Sequence, residues 1–406
     1  MPRLIPASDF PNLLQPGRRV WVSAGGNEPV ALLDALAARP EAARGVTFIQ
    51  FPLPGLNRFD FTALDAEADM ITFFMSPELR RSRARFLPMQ MRFVFEYLRR
   101  GPLDVALIQV ARAADGGLVC GPNVDFMGAA LESSSLVVAE LNVGLAPAAG
   151  GMRIDLEQVD YLVESERPPG TVDPGEPDEA AVRIGAHVAS LVRDGDCIQT
   201  GIGAIPMAIL GALGDRNDLG MHGGLIDDGG MALIEDGNVT GACKNIDTGR
   251  HVAGMALGSE RLHEWLAGRP DVVFAGADHT HELSVISRID NFVSVNSAVE
   301  VDLFGQVNAE VAGGRQLSGT GGAVDFMRGA RASKGGRSIV AMNATARGGT
   351  VSRIVPRVEM ATALRTDVDL VVTEFGVAEL GTRTAEERVE ALVGIAHPDF
   401  REELAG

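Results

Sequence analysis

The sequence predicts a two-domain α/β protein, and three features lead to this fold class. Short apolar runs alternate with helix-like segments along the first half, which is typical of a parallel sheet covered by helices on both faces. Residues 165–180 are rich in Pro, Gly and acidic residues, as expected of a linker. A similar strand–turn–helix pattern then resumes. We therefore predict two similar open parallel-sheet domains, residues 1–170 and 180–406.

The first domain is predicted from apolar runs that end in turns. The strand Arg19–Ser23 is followed by the turn Gly25-Gly26-Asn27 and by a helix with Pro29 near its start, where Pro is favoured. The other runs that we predict as strands of this domain are 46–51, 71–75, 104–110 and 136–140.

The second domain repeats this order of features. The strand Asp196–Thr200 precedes the turn Gly201-Ile202-Gly203, and Pro206 lies near the start of an apolar helix. Later predicted strands are 271–275, 338–342 and 369–373. The likeness of the halves is explained by an ancient duplication or by the general similarity of strand–turn–helix units. After a duplication, a ligand is expected in the cleft between the halves.

Composition narrows the class of protein. The formal net charge of −18 disfavours nucleic acid and anionic membranes as partners, although solubility alone also explains the acidity. The three cysteines, Cys120, Cys197 and Cys243, are odd in number and lack CxxC spacing, which favours a reducing compartment. No apolar segment follows Met1, and no run approaches the ~20 residues of a membrane helix. We expect a cytoplasmic protein.

Two Gly-rich turns are candidate ligand loops. The segment Thr200–Pro206 joins a strand to a helix, and Ser318–Phe326 has three glycines in four positions. Backbone N–H groups at such a helix start can receive a phosphate or an oxyanion. Pro at position 206 breaks the dinucleotide-binding Gly spacing and no Walker Lys follows, so the residues of the first turn by themselves favour a purely structural turn over a ligand loop. Asp325 can cap the helix after the second turn.

Polar residues outside these loops suggest two further sites. Glu300 and Asp302 share one face of a β-rich run that follows Asn296. The two carboxyl groups are either general acid–base groups or part of a solvated strand edge. His279 and His281, at i and i+2 on a strand, could reach one metal ion. Since no third ligand stands at an obvious spacing, we predict a surface turn and no metal site there.

Six ordered motifs in the second half resemble the acetyl-CoA hydrolase/4-hydroxybutyrate CoA-transferase family. They are GIGAIP (201–206), SVNSAVEVDLFGQVNAE (294–310), SGTGGAVDFMRGA (318–330), SRIVP (352–356), VVTEFGVAEL (371–380) and IAHPDFR (395–401). Segments 104–117 and 139–147 extend the resemblance over nearly the whole chain. The resemblance implies two CoA-transferase-like α/β domains, an enzyme that takes acyl-CoA and a carboxylate, and a homo-oligomer.

The resemblance also implies which residues bind CoA. It places the CoA site mainly on the C-terminal domain, with coenzyme A or acyl-CoA as substrate and no metal. The residues that match the family's CoA loops are Gly201, Ile202, Gly203, Ala204, Ile205, Gly321 and Gly322.

The same resemblance raises a difficulty about the reaction. Family enzymes use a glutamate that forms an acyl anhydride and then a glutamyl-CoA thioester. The matching segment here is His222-Gly223-Gly224-Leu225, which puts Gly224 where that glutamate stands. Glycine has no side chain and cannot form this intermediate. It also leaves room for an acyl group bulkier than acetyl. The candidate catalytic residues that remain are Asp227, His222, Glu300 and Asn296.

Three functions fit these observations. The first is an acyl-CoA hydrolase in which water attacks with help from Asp227, His222 or Glu300, or another acyl-CoA-processing enzyme that keeps only the CoA site. The second is a CoA-transferase with a relocated carboxylate. The third is a CoA-thioester-binding protein without chemistry of its own.

Overall fold

The computed structural model describes residues 1–173 and 175–406, which form two compact units. The first unit comprises residues 1–172 and 253–278, and the second comprises 173–252 and 279–406. Residues 253–278, which the sequence prediction placed in 180–406, join the first unit because their backbone bonds to it: Val124 N–H donates to Gly254 O, and Ala256 N–H to Pro122 O. Pro174, part of the predicted linker, lies outside the described residues.

The strands of the described residues are short and numerous. In chain order they are β1 Arg3–Leu4, β2 Arg19–Val22, β3 Thr47–Gln50, β4 Asp69–Thr72, β5 Arg85–Phe86, β6 Leu103–Arg112, β7 Leu118–Cys120, β8 Ser134–Asn142, β9 Arg153–Ile154, β10 Tyr161–Ser165, β11 Cys197–Gln199, β12 Gly220–Ile226, β13 His251–Ala256, β14 Val272–Phe274, β15 Phe292–Asn296, β16 Glu300–Asp302, β17 Val307–Asn308, β18 Val311–Ala312, β19 Arg315–Gln316, β20 Arg337–Ala341, β21 Thr345–Ala346, β22 Val351–Ser352, β23 Ile354–Val355, β24 Leu370–Thr373 and β25 Gly376–Glu379.

The α-helices alternate with these strands. In chain order they are α1 Val30–Ala37, α2 Met91–Arg100, α3 Met127–Ser133, α4 Glu179–Leu191, α5 Ala204–Gly211, α6 Asp228–Glu235, α7 Glu260–Leu266, α8 Ala277–Thr280, α9 Leu283–Ile286, α10 Ala323–Ala332, α11 Ala385–Ile395 and α12 Pro398–Ala405. Within 1–173 and 175–406, none of them is both long and apolar enough to cross a membrane.

A parallel sheet organises the first unit. Its strand order is β1-β10-β8-β6-β2-β3-β4-β5, and every pair along this path is parallel. The central strands are buried on both faces, as the continuous apolar runs predicted. Aliphatic and aromatic side chains such as Val20, Leu32, Phe48, Phe61 and Leu107 form the core beneath the helices.

The second unit contains a similar sheet. Its strands follow the order β12-β11-β15-β20-β24-β25, parallel except for the antiparallel pair β24–β25. One hydrophobic cluster lies around Val340 and Val371, and a smaller cluster joins Phe292 to Phe326. The predicted α/β fold with large parallel sheets is confirmed.

The helices α4 and α5 approach each other closely at Gly185. A Cβ atom there would lie 2.7 Å from the backbone oxygen of Ala208, which cannot swing aside as a side chain can. We expect Gly185→Ala to lower the free energy of unfolding by about 2 kcal/mol, the usual cost of overpacking. Gly211 ends α5 with open space around its Cα, so Gly211→Ala should be neutral or slightly stabilising. Urea denaturation followed by circular dichroism compares the two, and equal midpoints would contradict the close approach.

Candidate functional site

The candidate site lies where parallel strands of the second unit end. β11, β12 and β15 are parallel neighbours, so their carboxyl ends meet at one edge of the sheet, where α/β proteins commonly bind ligands. Two buried amides mark this edge: Asn296 Nδ2 donates to Gln199 Oε1 over 3.3 Å. Asn296, a predicted site residue, therefore lies beside the start of the first Gly-rich loop.

The loop Gly201-Ile202-Gly203 leads directly into α5. Gly203 has φ of +108°, a conformation that favours glycine, and it caps the helix without a side-chain hydrogen bond. No atom lies within 4 Å of a Cβ built on Gly201 or Gly203, and Ile202 is 49% exposed. The first backbone N–H groups of α5 are thus available to a ligand, as the predicted CoA contacts at Ala204 and Ile205 require.

The second Gly-rich loop precedes α10. Gly321 has φ of +56°, and Gly322 is the N-cap residue of the helix. A Cβ atom on Gly322 would lie 2.4 Å from Nε2 of His281, so glycine is needed at this position for a close approach. The loop and the imidazole of His281 therefore form one packed structure.

His281 also covers Gly224 on β12. A Cβ atom on Gly224 would lie 3.2 Å from His281 Nε2 and 3.3 Å from its Cε1, and the ring of Phe326 packs 4.5 Å from the imidazole. The prediction of extra room above Gly224 is therefore wrong, because an aromatic ring fills that space. Burial lowers the pKa of His281 to about 3, so the imidazole is neutral at pH 7.

The segment around His281 differs from its sequence prediction. His279 and Thr280 end the short helix α8, so they are not on a strand. The predicted surface turn was the segment His279–Glu282. Thr280 and His281 are buried, whereas His279 and Glu282 are partly exposed, so the prediction is wrong for two of the four residues. The Oγ1 of Thr280 lies 2.8 Å from His281 Nδ1 and holds the ring in place.

His222 lies on the same face of β12 as Gly224, since side chains alternate along a strand. The ring is fully buried, and its Nε2 lies 3.2 Å from the carbonyl oxygen of Thr280. Burial lowers the pKa of His222 to about 3, with smaller contributions from Lys244 and His279. His222 is therefore a neutral imidazole that donates from Nε2.

The predicted acidic residues already accept hydrogen bonds. Asp227 caps α6 by accepting the Gly230 N–H at 2.8 Å, and burial raises the pKa of Asp227. Glu300 accepts 2.9 Å bonds from Asn308 Nδ2 and from the backbone N–H of Glu359.

Asp247 is a site residue that the sequence did not reveal. Its Oδ2 lies 2.9 Å from His279 Nε2, and one ligand atom from each of His222, Asp247 and His279 lies within 4.8 Å of the others. Asp247 belongs to a turn and has φ of +50°. No motif surrounds it, so only the fold brings it to the two histidines.

The first unit has a pocket of its own, with two charged side chains among its walls. The pocket has a volume of about 70 Å³, and its walls include Gly25, Gly26, Glu28 and Arg167. Gln50 Nε2 donates to Glu28 Oε1 at 3.0 Å, and burial raises the pKa of Glu28 to about 7. This carboxyl group therefore changes charge near neutral pH.

Comparison with known proteins agrees with the predicted resemblance. Residues 2–172 match the acetyl-CoA hydrolase/transferase N-terminal domain, and residues 258–406 match the C-terminal domain of the same family. The chain is 35% identical over 415 residues to 4-hydroxybutyrate coenzyme A transferase of Clostridium kluyveri, which covers 99% of this chain and 96% of the relative.

Solved structures give the same result. The crystal structure of 4-hydroxybutyrate CoA-transferase from Porphyromonas gingivalis has a TM-score of 0.85 and 34% identity. RipA from Yersinia pestis has a TM-score of 0.93 and 30% identity. Each match covers 99% of this chain and 96% of the other. The resemblance predicted from the motifs is confirmed: the chain belongs to the acetyl-CoA hydrolase/transferase family, whose members are enzymes that act on acyl-CoA.

Proposed function

We propose that this protein hydrolyses acyl-CoA thioesters by direct attack of water, without a glutamyl-CoA intermediate. The observation that carries the proposal is Gly224, at the position that we assign to the family's nucleophilic glutamate. No side chain reaches out from this position, and the imidazole of His281 occupies the space that a carboxylate would fill. The loops Gly201–Ile205 and Gly321-Gly322 hold the CoA in this proposal.

Asp227 activates the water in the proposed reaction. Its carboxylate takes a proton from water while the water oxygen attacks the thioester carbonyl carbon. Backbone N–H groups at the start of α5 stabilise the oxyanion. The C–S bond then breaks, and the CoA thiolate leaves and takes up a proton. A raised pKa suits Asp227 for this role, since a stronger base removes a proton from water more readily.

Asp227→Asn tests this role without removing the helix cap, because Asn caps helices as well as Asp does. We expect the kcat for release of free CoA thiol to fall by about 10²–10³-fold, as for the loss of a general base. Asp228→Asn, one residue further on, is the matched control and should keep most of the activity. Equal activities of the two variants would remove Asp227 from the mechanism.

A CoA-transferase with a relocated carboxylate is the second candidate, because the relatives reported above include named CoA-transferases. The two reactions separate in one assay with a panel of acyl-CoAs, with and without acetate. Free thiol release that does not depend on acetate supports hydrolysis, and CoA transferred to acetate supports exchange. If CoA binds and neither reaction occurs, the protein is a member of the family that binds CoA thioesters without catalysis.

The homo-oligomer and the cytoplasmic location stay predictions.

A further inference from the structure

We propose that His222, Asp247 and His279 bind one divalent transition-metal ion of the zinc type. The donor set of two imidazoles and one carboxylate is one that such ions use when they keep an open coordination position. This inference does not depend on the proposed hydrolysis, and the sequence prediction had no metal at these residues.

The spacing of the three side chains suits one small ion. One ligand atom from each residue lies within 4.8 Å of the others. Metal–ligand bonds of about 2.0–2.1 Å in a tetrahedron separate neighbouring donor atoms by roughly 3.3 Å. His279 Nε2 and Asp247 Oδ2 are 2.9 Å apart, so they would separate slightly when an ion enters.

His222 provides an independent observation that points to a ligand. Its Nδ1 atom is buried and has no hydrogen-bond partner among the described residues. Its Nε2 lies 3.2 Å from the Thr280 carbonyl oxygen, so the Nε2–H donates there and Nδ1 keeps its lone pair. A histidine that binds a metal typically gives its other N–H to a backbone carbonyl in this way. An ion that bound His222 through Nδ1 would therefore need no change of tautomer.

The surrounding charges both favour and oppose a cation. The carboxylate of Asp247 favours a cation, and its Oδ2 already accepts the hydrogen bond from His279 Nε2. Lys244 is the opposing group: its Nζ donates to Met221 O and Arg250 O, and its ammonium charge repels a cation. We expect a micromolar dissociation constant rather than a nanomolar one.

The hydrogen bond between His279 and Asp247 must change when the ion binds. Before both residues can contact one ion, the Nε2 proton of His279 has to move to Nδ1, or the ring has to turn so that Nδ1 faces the ion. A neutral imidazole keeps one N–H in either case, so this change exposes a lone pair to the ion without loss of a proton from the ring.

The test uses the full chain after treatment with a chelator. Zn²⁺ is titrated by calorimetry, and Co²⁺ is titrated by visible absorption, which reports tetrahedral nitrogen and oxygen ligands. We expect one ion per chain. Asp247→Asn and His279→Ala lie at partly exposed positions and should each weaken binding by about 100-fold or more.

His187→Ala is the matched control, since it removes a histidine of α4 from outside the cluster. Its affinity for Zn²⁺ should equal that of the parent protein. Circular dichroism of each variant checks that the fold is kept. Binding that Asp247→Asn and His279→Ala leave unchanged, or no stoichiometric binding to the parent, would overturn the proposal.

Discussion

Gly224→Glu alone should fail to produce a CoA-transferase, whereas Gly224→Glu combined with His281→Ala should produce one. A Cβ atom at position 224 would lie 3.2 Å from Nε2 of His281 and 3.7 Å from the ring of Phe326. A glutamate side chain must therefore displace the imidazole or bury its charge without a partner. We expect the single variant to lose about 2–4 kcal/mol of unfolding free energy.

The double variant removes the imidazole that blocks the glutamate. If Gly224 occupies the nucleophile position, this variant should exchange CoA between an acyl-CoA and acetate and form a glutamyl-CoA adduct that borohydride reduces. Gly224→Gln with His281→Ala is the matched control, because a carboxamide fills the same space but cannot form the thioester. Exchange by the single variant at full stability would show that His281 does not occupy the space. No adduct in a folded double variant would place the nucleophile elsewhere.

Asp125→Asn should make the first unit much more stable at alkaline pH relative to the parent protein. The carboxyl group of Asp125 is fully buried, its Oδ1 has no partner among the described residues, and burial raises its pKa from 3.8 to about 8. The folded protein thus keeps a proton that the unfolded chain releases near pH 4. The contribution of this group to stability is complete below about pH 4 and is lost as the pH rises to about 8.

The expected effect follows from the size of the pKa shift. Between pH 5 and pH 8.5 the parent should lose up to about 4 kcal/mol of stability through Asp125, and Asp125→Asn should not. Tryptophan fluorescence in urea reports the first unit selectively, since Trp21 and Trp265 both belong to it. Asp115→Asn is the control: Arg153 and Gly117 lower the pKa of this exposed carboxyl group, so it titrates below the measured range. Equal pH dependence of parent and Asp125→Asn would contradict the buried protonated acid.

Most of the sheet could be predicted because buried parallel strands are continuous apolar runs. The predicted run 104–110 lies within β6, and 338–342 overlaps β20. β12 was not predicted as a strand, because Gly220, Gly223 and Gly224 give it low intrinsic β propensity. Its conformation depends on pairing with β11, a contact between segments distant in sequence.

The candidate site could be predicted only in part. The Gly-rich loops were visible because a turn between a strand and a helix has a local pattern. The position of His281 above Gly224 was not, because it depends on how residues 279–281 pack on β12. Asp247 was missed for the same reason, since its partners are 25 and 32 residues away in the chain.

The origin of the oxygen in the product acid tests the proposed hydrolysis most directly. The full-length protein, in excess over an acyl-CoA, completes a single turnover in water labelled with ¹⁸O, and mass spectrometry follows the acid and the protein. Direct attack by water predicts one ¹⁸O atom in the released acid and no label in the protein. An unlabelled acid, with ¹⁸O in a protein carboxyl group, would show a covalent carboxylate route and contradict the proposal.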